Sequence, residues 1–251
     1  MTILYFTSTG NCLAVAKRIG GNAVSIPQAL KSKELSFKDD AIGIVFPIYG
    51  FTLPLIVQRF LKSAKIEAGY TFAIGTYGNL PGAALSRFCQ LAEKSGLEIN
   101  YSNHLLMVDN YLPGFDIDDQ ISKLPEKKTD ESLAEIVNDI KERKRWHVGA
   151  PLMSKVGTAV FGGLTSMASK RGAGWIVGET CNKCGICAKV CPVGNIKVTD
   201  KVSFGNKCEM CLGCIHNCPQ NAMRLKSEKS SKRWRHPDVS IKEIIAANNQ
   251  G

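Results

Sequence analysis

The sequence lacks any apolar run of the roughly 18 to 20 residues that a membrane-spanning helix requires. Its first residues, MTILYF, also lack the charged start and the long apolar segment of a secretory signal peptide. We therefore expect a soluble, cytoplasmic protein. With 251 residues, of which 44% are hydrophobic, the chain can bury one good core and has length left for a second unit.

The common nucleotide-binding motifs are also missing. The turn TSTGNC at residues 7–12 has no Lys at the position that a Walker loop requires, and its single glycine does not make a dinucleotide fingerprint. The stretch GAGWIVG at residues 172–178 lacks the third glycine in the right place. No Ser/His or Cys/His arrangement compels a hydrolytic mechanism. A simple ATPase, an NAD enzyme and a hydrolase are therefore disfavoured.

Acidic residues are scarce in the last part of the chain. Residues 1–150 hold 17 Lys and Arg against 16 Asp and Glu, whereas residues 151–251 hold 15 against 6, and together they give the formal net charge of +10. A basic surface can attract nucleic acid, anionic lipid or an acidic protein, and charge alone does not separate these partners.

Cysteine, by contrast, is concentrated in two short segments. The runs CNKCGICAKVCP and CEMCLGCIHNCP hold eight of the ten cysteines and repeat at an offset of 27 residues, which indicates a duplicated half-domain. Such crowding indicates metal binding rather than disulfides. Structural zinc also uses C-x-x-C pairs, but it rarely takes three thiolates in such close succession, so the spacing favours iron–sulfur clusters. The ligand candidates are Cys181, Cys184, Cys187, Cys191, Cys208, Cys211, Cys214 and Cys218.

These runs resemble those of the bacterial ferredoxins that carry two 4Fe-4S clusters. In that family the fourth Cys of each run binds the other cluster. The resemblance implies one cluster on Cys181, Cys184, Cys187 and Cys218, and another on Cys208, Cys211, Cys214 and Cys191. We expect His216, which lies between two of these cysteines, to be a solvated spacer. Many small ferredoxins of this kind are acidic, whereas lysines surround these runs.

The first part of the chain alternates short apolar strands with helical patterns. Strands are predicted at residues 3–6, 22–26, 41–46, 72–76 and, less clearly, 105–108, with helices near 11–19, 54–64, 81–95 and 130–145. This alternation predicts an α/β fold with a doubly wound, parallel five-stranded sheet of the flavodoxin-like kind. The resemblance of the cysteine runs implies that a small α+β two-cluster ferredoxin-like domain follows it. In the order 2-1-3-4-5, a ligand lies beyond the carboxyl ends of the first and third strands.

Three unusual loops follow strands at that edge. The segment TSTGN at residues 7–11 resembles the phosphate loop of flavodoxins, in which hydroxyls and backbone N–H groups hold FMN. Tyr49 and Tyr77 resemble the aromatics that flank its ring. Cys12 departs from the family pattern, because a thiol donates more weakly than a hydroxyl. The candidate FMN-binding residues are Thr7, Ser8, Thr9, Gly10, Asn11, Cys12, Pro47, Ile48, Tyr49, Gly50, Thr76, Tyr77, Gly78 and Asn79.

The whole layout resembles the flavodoxin–ferredoxin fusion proteins of anaerobic microbes. The segment VDNYLP at residues 108–113 also looks like theirs and would lie beside the flavin. We expect an FMN domain at 1–147, a helical connector at 148–174, a ferredoxin-like domain at 175–226 and a basic C-terminal tail at 227–251. The tail is predicted to be a mobile or docking segment.

The main functional hypothesis is an electron-transfer protein that relays electrons between FMN, two 4Fe-4S clusters and redox proteins with acidic docking surfaces. Nucleic-acid binding and stable membrane insertion are not expected, and the oligomeric state is open. One alternative is a flavin-dependent reductase of a small acceptor, fed by the clusters. Another is a non-redox iron–sulfur module whose clusters only shape a binding surface.

Overall fold

The computed structural model describes residues 1–149 and 174–251. The helix expected in the connector at 148–174 lies outside this part of the chain. Within the described ranges, the N-terminal half forms an α/β unit, and the residues after 174 form a small α+β unit followed by a C-terminal helix.

A single parallel sheet organises the N-terminal half. Its strands are β1 (Thr2–Tyr5), β2 (Asn22–Ser25), β3 (Ser36–Pro47), β4 (Lys65–Tyr77), β5 (Tyr101–Leu106) and β6 (Trp146–His147). They lie in the order β2-β1-β3-β4-β5-β6, and all neighbours pair in parallel. This is the predicted flavodoxin-like winding, in which the order reverses between β1 and β3.

Two details of the predicted sheet are wrong. The sheet has six strands rather than five, because the two-residue β6 pairs with Tyr101 and Ser102 of β5. The fifth strand spans Tyr101–Leu106 rather than 105–108. The prediction followed the apolar run LLMV. The polar residues Ser102 and Asn103 nevertheless belong to the strand, because both pair with β4 and Ser102 also pairs with β6 on the other side. Apolar content is a weak guide to such a strand.

Seven helices, as far as the structure describes the N-terminal half, cover the sheet. They are α1 (Asn11–Ile19), α2 (Ile26–Ala29), α3 (Leu55–Ser63), α4 (Ala84–Lys94), α5 (Ile117–Ser122), α6 (Leu124–Lys127) and α7 (Thr129–Lys141). The two faces of the sheet carry separate cores: one includes Val15 of α1 and Ile136 of α7, and the other includes Val57 of α3 and Phe88 of α4. A parallel sheet covered on both faces explains the continuous apolar runs of its strands.

The C-terminal half reproduces the cysteine repeat in its secondary structure. Its elements are β7 (Trp175–Val177), α8 (Ile186–Lys189), β8 (Ile196–Val198), β9 (Val202–Phe204), α9 (Gly213–His216) and β10 (Met223–Leu225). Trp175 and Val202, Ile186 and Gly213, and Ile196 and Met223 begin equivalent elements 27 residues apart. The halves exchange strands, since β7 pairs antiparallel with β10 and β8 with β9.

The residues after 226 return to the N-terminal half. Helix α10 (Ile241–Asn248) packs against α2, and its residues Ile244, Ala247 and Asn248 are buried. Of the two alternatives expected for residues 227–251, a mobile or a docking segment, the packing of this helix therefore excludes a fully mobile segment. Val239 and Ile244 join a core that also contains Ala14 of α1 and Ile215 of α9. One apolar cluster thus runs from the sheet through both C-terminal parts.

Candidate functional site

A cavity of about 720 Å³ opens at the carboxyl edge of the sheet. Its size lies within the range of cofactor and small-molecule sites, about 300–1,000 Å³. The three predicted loops meet there, and their cavity-lining residues are Thr7, Ser8, Thr9, Asn11, Cys12, Pro47, Ile48, Tyr49, Gly50, Thr76, Tyr77, Gly78 and Asn79. Gly10 is not among the lining residues. Its φ of 101° suits glycine, and an added Cβ would lie 2.9 Å from Val239 Cβ.

The first loop offers backbone donors to this cavity. Ser8 and Thr9 are only 4% and 2% exposed, yet among the described residues their N–H groups and that of Asn11 meet no acceptor. The Gly10 N–H donates to Thr7 Oγ1 at 3.1 Å. Buried N–H groups are almost always paired, so this loop fits an anionic group at the start of α1.

Cys12 places a thiol where the flavodoxin pattern usually has a hydroxyl. Its thiol lies 3.2 Å from Thr76 Oγ1, and the residue is 1% exposed. Burial raises the pKa of this thiol to about 12. The side chain therefore remains neutral, and its hydrogen bond with Thr76 links the first loop to the third.

The second loop is a tight turn. Tyr49 and Thr52 exchange both backbone hydrogen bonds, and Gly50 and Phe51 between them have φ values of 54° and 65°. Positive φ at both central positions defines a type I′ turn, which is uncommon for a residue as bulky as Phe51. The Tyr49 hydroxyl lies 3.0 Å from Ser8 Oγ, and burial holds its pKa well above the ordinary value. The turn thereby presents Phe51 to the cavity.

The segment 108–113 lies beside the first and third loops. Asn110 Nδ2 donates to Thr9 Oγ1 at 2.6 Å, and Val108, Asp109, Asn110 and Tyr111 all line the cavity. Burial raises the pKa of Asp109. The sequence interpretation named this segment but missed Lys127, whose Nζ donates to the carbonyls of Gly78 at 2.8 Å and Met107 at 2.7 Å. A lone Lys in a polar helix carries no sequence signal for such a role.

The eight cysteines line two further cavities, which are small, with a volume of about 20 Å³ each. The first is lined by Cys181, Cys184, Cys187 and Cys218, which we name the outer group. The second is lined by Cys191, Cys208, Cys211 and Cys214, which we name the inner group. Each set takes one Cys from the opposite run, as the ferredoxin resemblance implies.

The surroundings of the sulfurs suit a cationic cluster. Burial raises the pKa of Cys187 and Cys208 to about 11, so positive iron is what would stabilise them as thiolates. Backbone N–H groups already point at sulfur, from Asn195 to Cys191 at 3.2 Å and from Ala222 to Cys218 at 3.3 Å. Such N–H···S bonds help to set cluster potentials. Within the described ranges, no three His, Cys, Asp or Glu side chains are arranged to hold a single metal ion.

The inner group lies directly against the large cavity. Glu209 and Met210, between two of its cysteines, line that cavity. A Cβ on Gly213 would lie 3.3 Å from the Ser8 carbonyl oxygen. The Glu209 carboxylate accepts from the Ile56 N–H at 3.1 Å and from Arg59 at 3.2 Å. An acidic side chain of the cysteine segment therefore caps helix α3, which follows the second loop.

His216 is buried rather than solvated. It is 4% exposed; its Nδ1 accepts from the Trp234 N–H at 3.1 Å, and its Nε2 lies 2.8 Å from the Asn110 carbonyl oxygen. Both ring nitrogens are thus used by backbone groups. The expectation of a spacer failed because the ring lies in the junction between the two halves, next to residues 108–113.

Comparisons with known proteins show what parts of the chain are similar to. Residues 175–197 match the family model described as a 4Fe-4S binding domain. A ferredoxin of Methanocaldococcus jannaschii, described as uncharacterized, is 36% identical over 59 residues. That match covers 21% of this chain and 38% of the ferredoxin, so the chain spans well under half of that relative's length.

Two solved structures resemble the chain more remotely. The solution structure of two-electron reduced Megasphaera elsdenii flavodoxin has 19% identity and a TM-score of 0.32, covering 41% of this chain and 83% of that one. The metal-soaked Flv1 flavodiiron core of Synechocystis sp. PCC6803 has 14% identity and a TM-score of 0.31, covering 55% and 36%. The strand order itself, rather than these scores, defines the fold.

The chain therefore joins a flavodoxin-like α/β unit to a ferredoxin-like unit. The iron–sulfur assignment rests on the match of residues 175–197 to the 4Fe-4S binding-domain model. Along the described residues, no helix is both long and apolar enough to cross a bilayer.

Proposed function

We propose that this protein is an electron carrier that holds FMN in the large cavity and a 4Fe-4S cluster in each cysteine group. One observation carries the proposal: the space lined by the inner group and the large cavity have Glu209 as a common lining residue. Glu209 and Met210 belong to the inner cysteine run and also line the cavity beside Tyr49. Redox groups held at such neighbouring sites are near enough for direct exchange.

The residues of the cavity fit the parts of FMN. The N–H groups of Ser8, Thr9 and Asn11, with the loop hydroxyls, suit a phosphate at the start of α1. Tyr49, Phe51, Tyr77 and Tyr111 supply apolar surface for a flat ring. When bound, FMN exchanges two electrons in single steps and each cluster exchanges one. The protein's own residues supply spacing, burial and hydrogen bonds.

The outer group is the site for protein partners in this proposal. Cys184 and Lys183 are exposed, whereas Cys191 and Cys214 of the inner group are 8% exposed. The outer cavity is lined by residues of the ferredoxin-like unit. An acidic redox protein would meet Lys183 and Lys189 at this surface, where opposite charge speeds encounter. The proposed order of electron transfer is then from the cavity to the inner group and on to the outer group.

Anaerobic reconstitution with iron, sulfide and FMN tests the proposal. The wild type should contain one flavin and about eight iron atoms per chain. Cys184→Ser should lose about half of the iron and keep the flavin, because the outer group does not touch the cavity. Cys89→Ser, a cysteine outside both runs, is the matched control. A preparation with full iron that takes up no flavin would rule out the flavin half.

A further inference from the structure

Three consecutive carbonyl groups of the first loop accept hydrogen bonds from the C-terminal part of the chain. The Thr7 oxygen accepts from Asn248 Nδ2 at 2.8 Å, and the Ser8 oxygen accepts from Asn217 Nδ2 at 3.1 Å. The Thr9 oxygen accepts from the His236 N–H at 2.8 Å. Asn217 and Asn248 are 2% and 0% exposed, so these bonds lie inside the protein.

This arrangement bears on how the loop can bind an anion. A loop that directs successive N–H groups at a ligand turns its carbonyls elsewhere, and buried carbonyls need donors of their own. The Ser8 and Thr9 N–H groups meet no acceptor among the described residues, whereas the carbonyls of Thr7, Ser8 and Thr9 are all satisfied. A hydrogen bond to a carbonyl also polarises the peptide unit and strengthens its N–H as a donor.

The same C-terminal segment makes further contacts around the loop. Trp234 Nε1 donates to Asn11 Oδ1 at 3.0 Å. Val239 and His236 occupy the space beside Gly10, where a Cβ would lie 2.9 and 3.0 Å from their Cβ atoms. Helix α10 is itself held to the N-terminal half, because Ser25 Oγ donates to the Ala247 carbonyl at 2.5 Å. The loop thus lies between the cavity and a clamp formed by residues 234–248.

We propose that this clamp, together with Asn217, holds the first loop in its phosphate-binding shape, so that both halves of the chain build the phosphate site. Asn248 and Asn217 are positioning residues, since each acts on the ligand through a loop carbonyl. The inference rests on the proposed binding of FMN. It adds that the phosphate site of the flavodoxin-like unit depends on residues beyond its own sheet and helices.

Fluorescence titration of flavin-free, iron-loaded full-length protein with FMN and with riboflavin tests this role. Asn248→Ala should raise the FMN dissociation constant about 5- to 20-fold, because a buried loop carbonyl loses its donor. Riboflavin has no phosphate, so its dissociation constant should change less than about twofold. Asn249→Ala is the matched control. Among the described residues, the Asn249 side chain bonds only the Gly251 N–H, so this variant should leave both constants unchanged.

Each remaining outcome decides a different point. Wild type that binds neither flavin would overturn the proposed function itself. Wild type that binds FMN, with Asn248→Ala unchanged, would overturn the clamp. Equal losses for FMN and riboflavin would also overturn it, because they indicate general loosening. If Asn248→Ala fails to fold, Asn248→Ser keeps a shorter donor and should show a smaller but still FMN-selective loss.

Discussion

At the scale of single residues, the junction between the two halves is made by buried polar side chains. Glu209 is 7% exposed, and burial raises its pKa even though Arg59 opposes the shift. Its carboxylate nevertheless receives the Ile56 N–H and the Arg59 guanidinium. The Arg59 side chain is 51% exposed whereas that of Glu209 is buried, so removing a donor would leave a buried carboxylate with less compensation. Glu209 therefore holds the segment between Cys208 and Cys211 against the start of helix α3.

His104 on β5 gives a prediction for the pH dependence of stability. Burial lowers its pKa to about 4, so the unfolded chain binds the extra proton first as pH falls below 6.5. The contribution of neutral His104 to the free energy of unfolding is therefore fully present above pH 6.5 and is lost as the pH falls towards 4. We expect about 1–2 kcal/mol in total, discounted for partial exposure. His104→Phe, which keeps an aromatic ring beside Tyr77, should reduce this loss.

Thermal midpoints of the iron-loaded protein between pH 7.5 and 5.0, followed by circular dichroism under anaerobic conditions, measure that effect. The variant should retain the share due to His216 and His236, whose pKa values burial also lowers. An identical pH slope in wild type and His104→Phe would contradict the prediction.

These residue-scale features were the least accessible to sequence interpretation. Asn248, His216 and Glu209 are single polar residues, and each has a hydrogen-bond partner more than 100 positions away in the sequence. Periodicity and spacing describe local structure, so they carry no signal for such pairs. The cysteines differ because their ligand spacing is itself local. The grouping of all eight could therefore be anticipated, whereas the junction could not.

At the scale of elements, the N-terminal cap of helix α10 gives a prediction about the clamp, because this helix carries Asn248. Ser240 and Glu243 form a capping box, with the Glu243 N–H donating to Ser240 Oγ at 3.3 Å and the Ser240 N–H donating to Glu243 Oε2 at 2.8 Å. Ser240→Ala should lower the free energy of unfolding by about 1 kcal/mol. It should also weaken FMN binding, though less than Asn248→Ala does. The reason is that loss of the cap frays the N-terminal end of the helix, whereas Asn248 lies at its C-terminal end.

Thermal unfolding and the same flavin titration measure both effects. Lys242→Ala, at an exposed position of the same helix, is the control and should change neither quantity appreciably. Weaker FMN binding without any loss of stability would contradict the proposed link through helix α10.

The strands show why element boundaries were only partly predictable. The apolar stretches 41–46 and 72–76 lie in the buried parts of β3 and β4, which helices cover on both faces. The strands also extend backwards over Ser36–Asp40 and Lys65–Gly69, where partly buried and exposed residues alternate. An alternating, charged segment is a weaker strand signal than a continuous apolar run. These extensions form because the two segments pair with each other, from Ser36 with Lys65 to Asp39 with Ala68.

At the scale of the whole molecule, the two units share one interior. A single apolar cluster contains Ala14 of α1, Ile215 of α9 and Ile244 of α10. The cavity in turn is lined from both sides of the junction. The change in composition along the sequence therefore indicates where each fold lies. It does not indicate that the two folds share a core and a cavity. Apolar patterns show that a residue is buried, but not which element covers it.

The excess positive charge of the C-terminal half gives a prediction for partner exchange. Lys183 lies beside exposed Cys184 at the outer cavity, so reversing its charge should repel an acidic partner at this site. With a small acidic ferredoxin as the probe, Lys183→Glu should slow electron exchange about tenfold at low salt. The difference should shrink at high ionic strength, because a Debye length of about 3 Å at 1 M screens exposed charges.

Lys33→Glu is the matched control for this charge reversal. It makes the same change in net charge at an exposed position before β3, away from both cysteine groups. Stopped-flow absorbance at several salt concentrations compares the two variants with wild type. Equal slowing in both would mean that net charge, rather than the outer surface, governs the encounter. Slowing by Lys183→Glu alone, and only at low salt, is the result expected if electrons cross at Cys184.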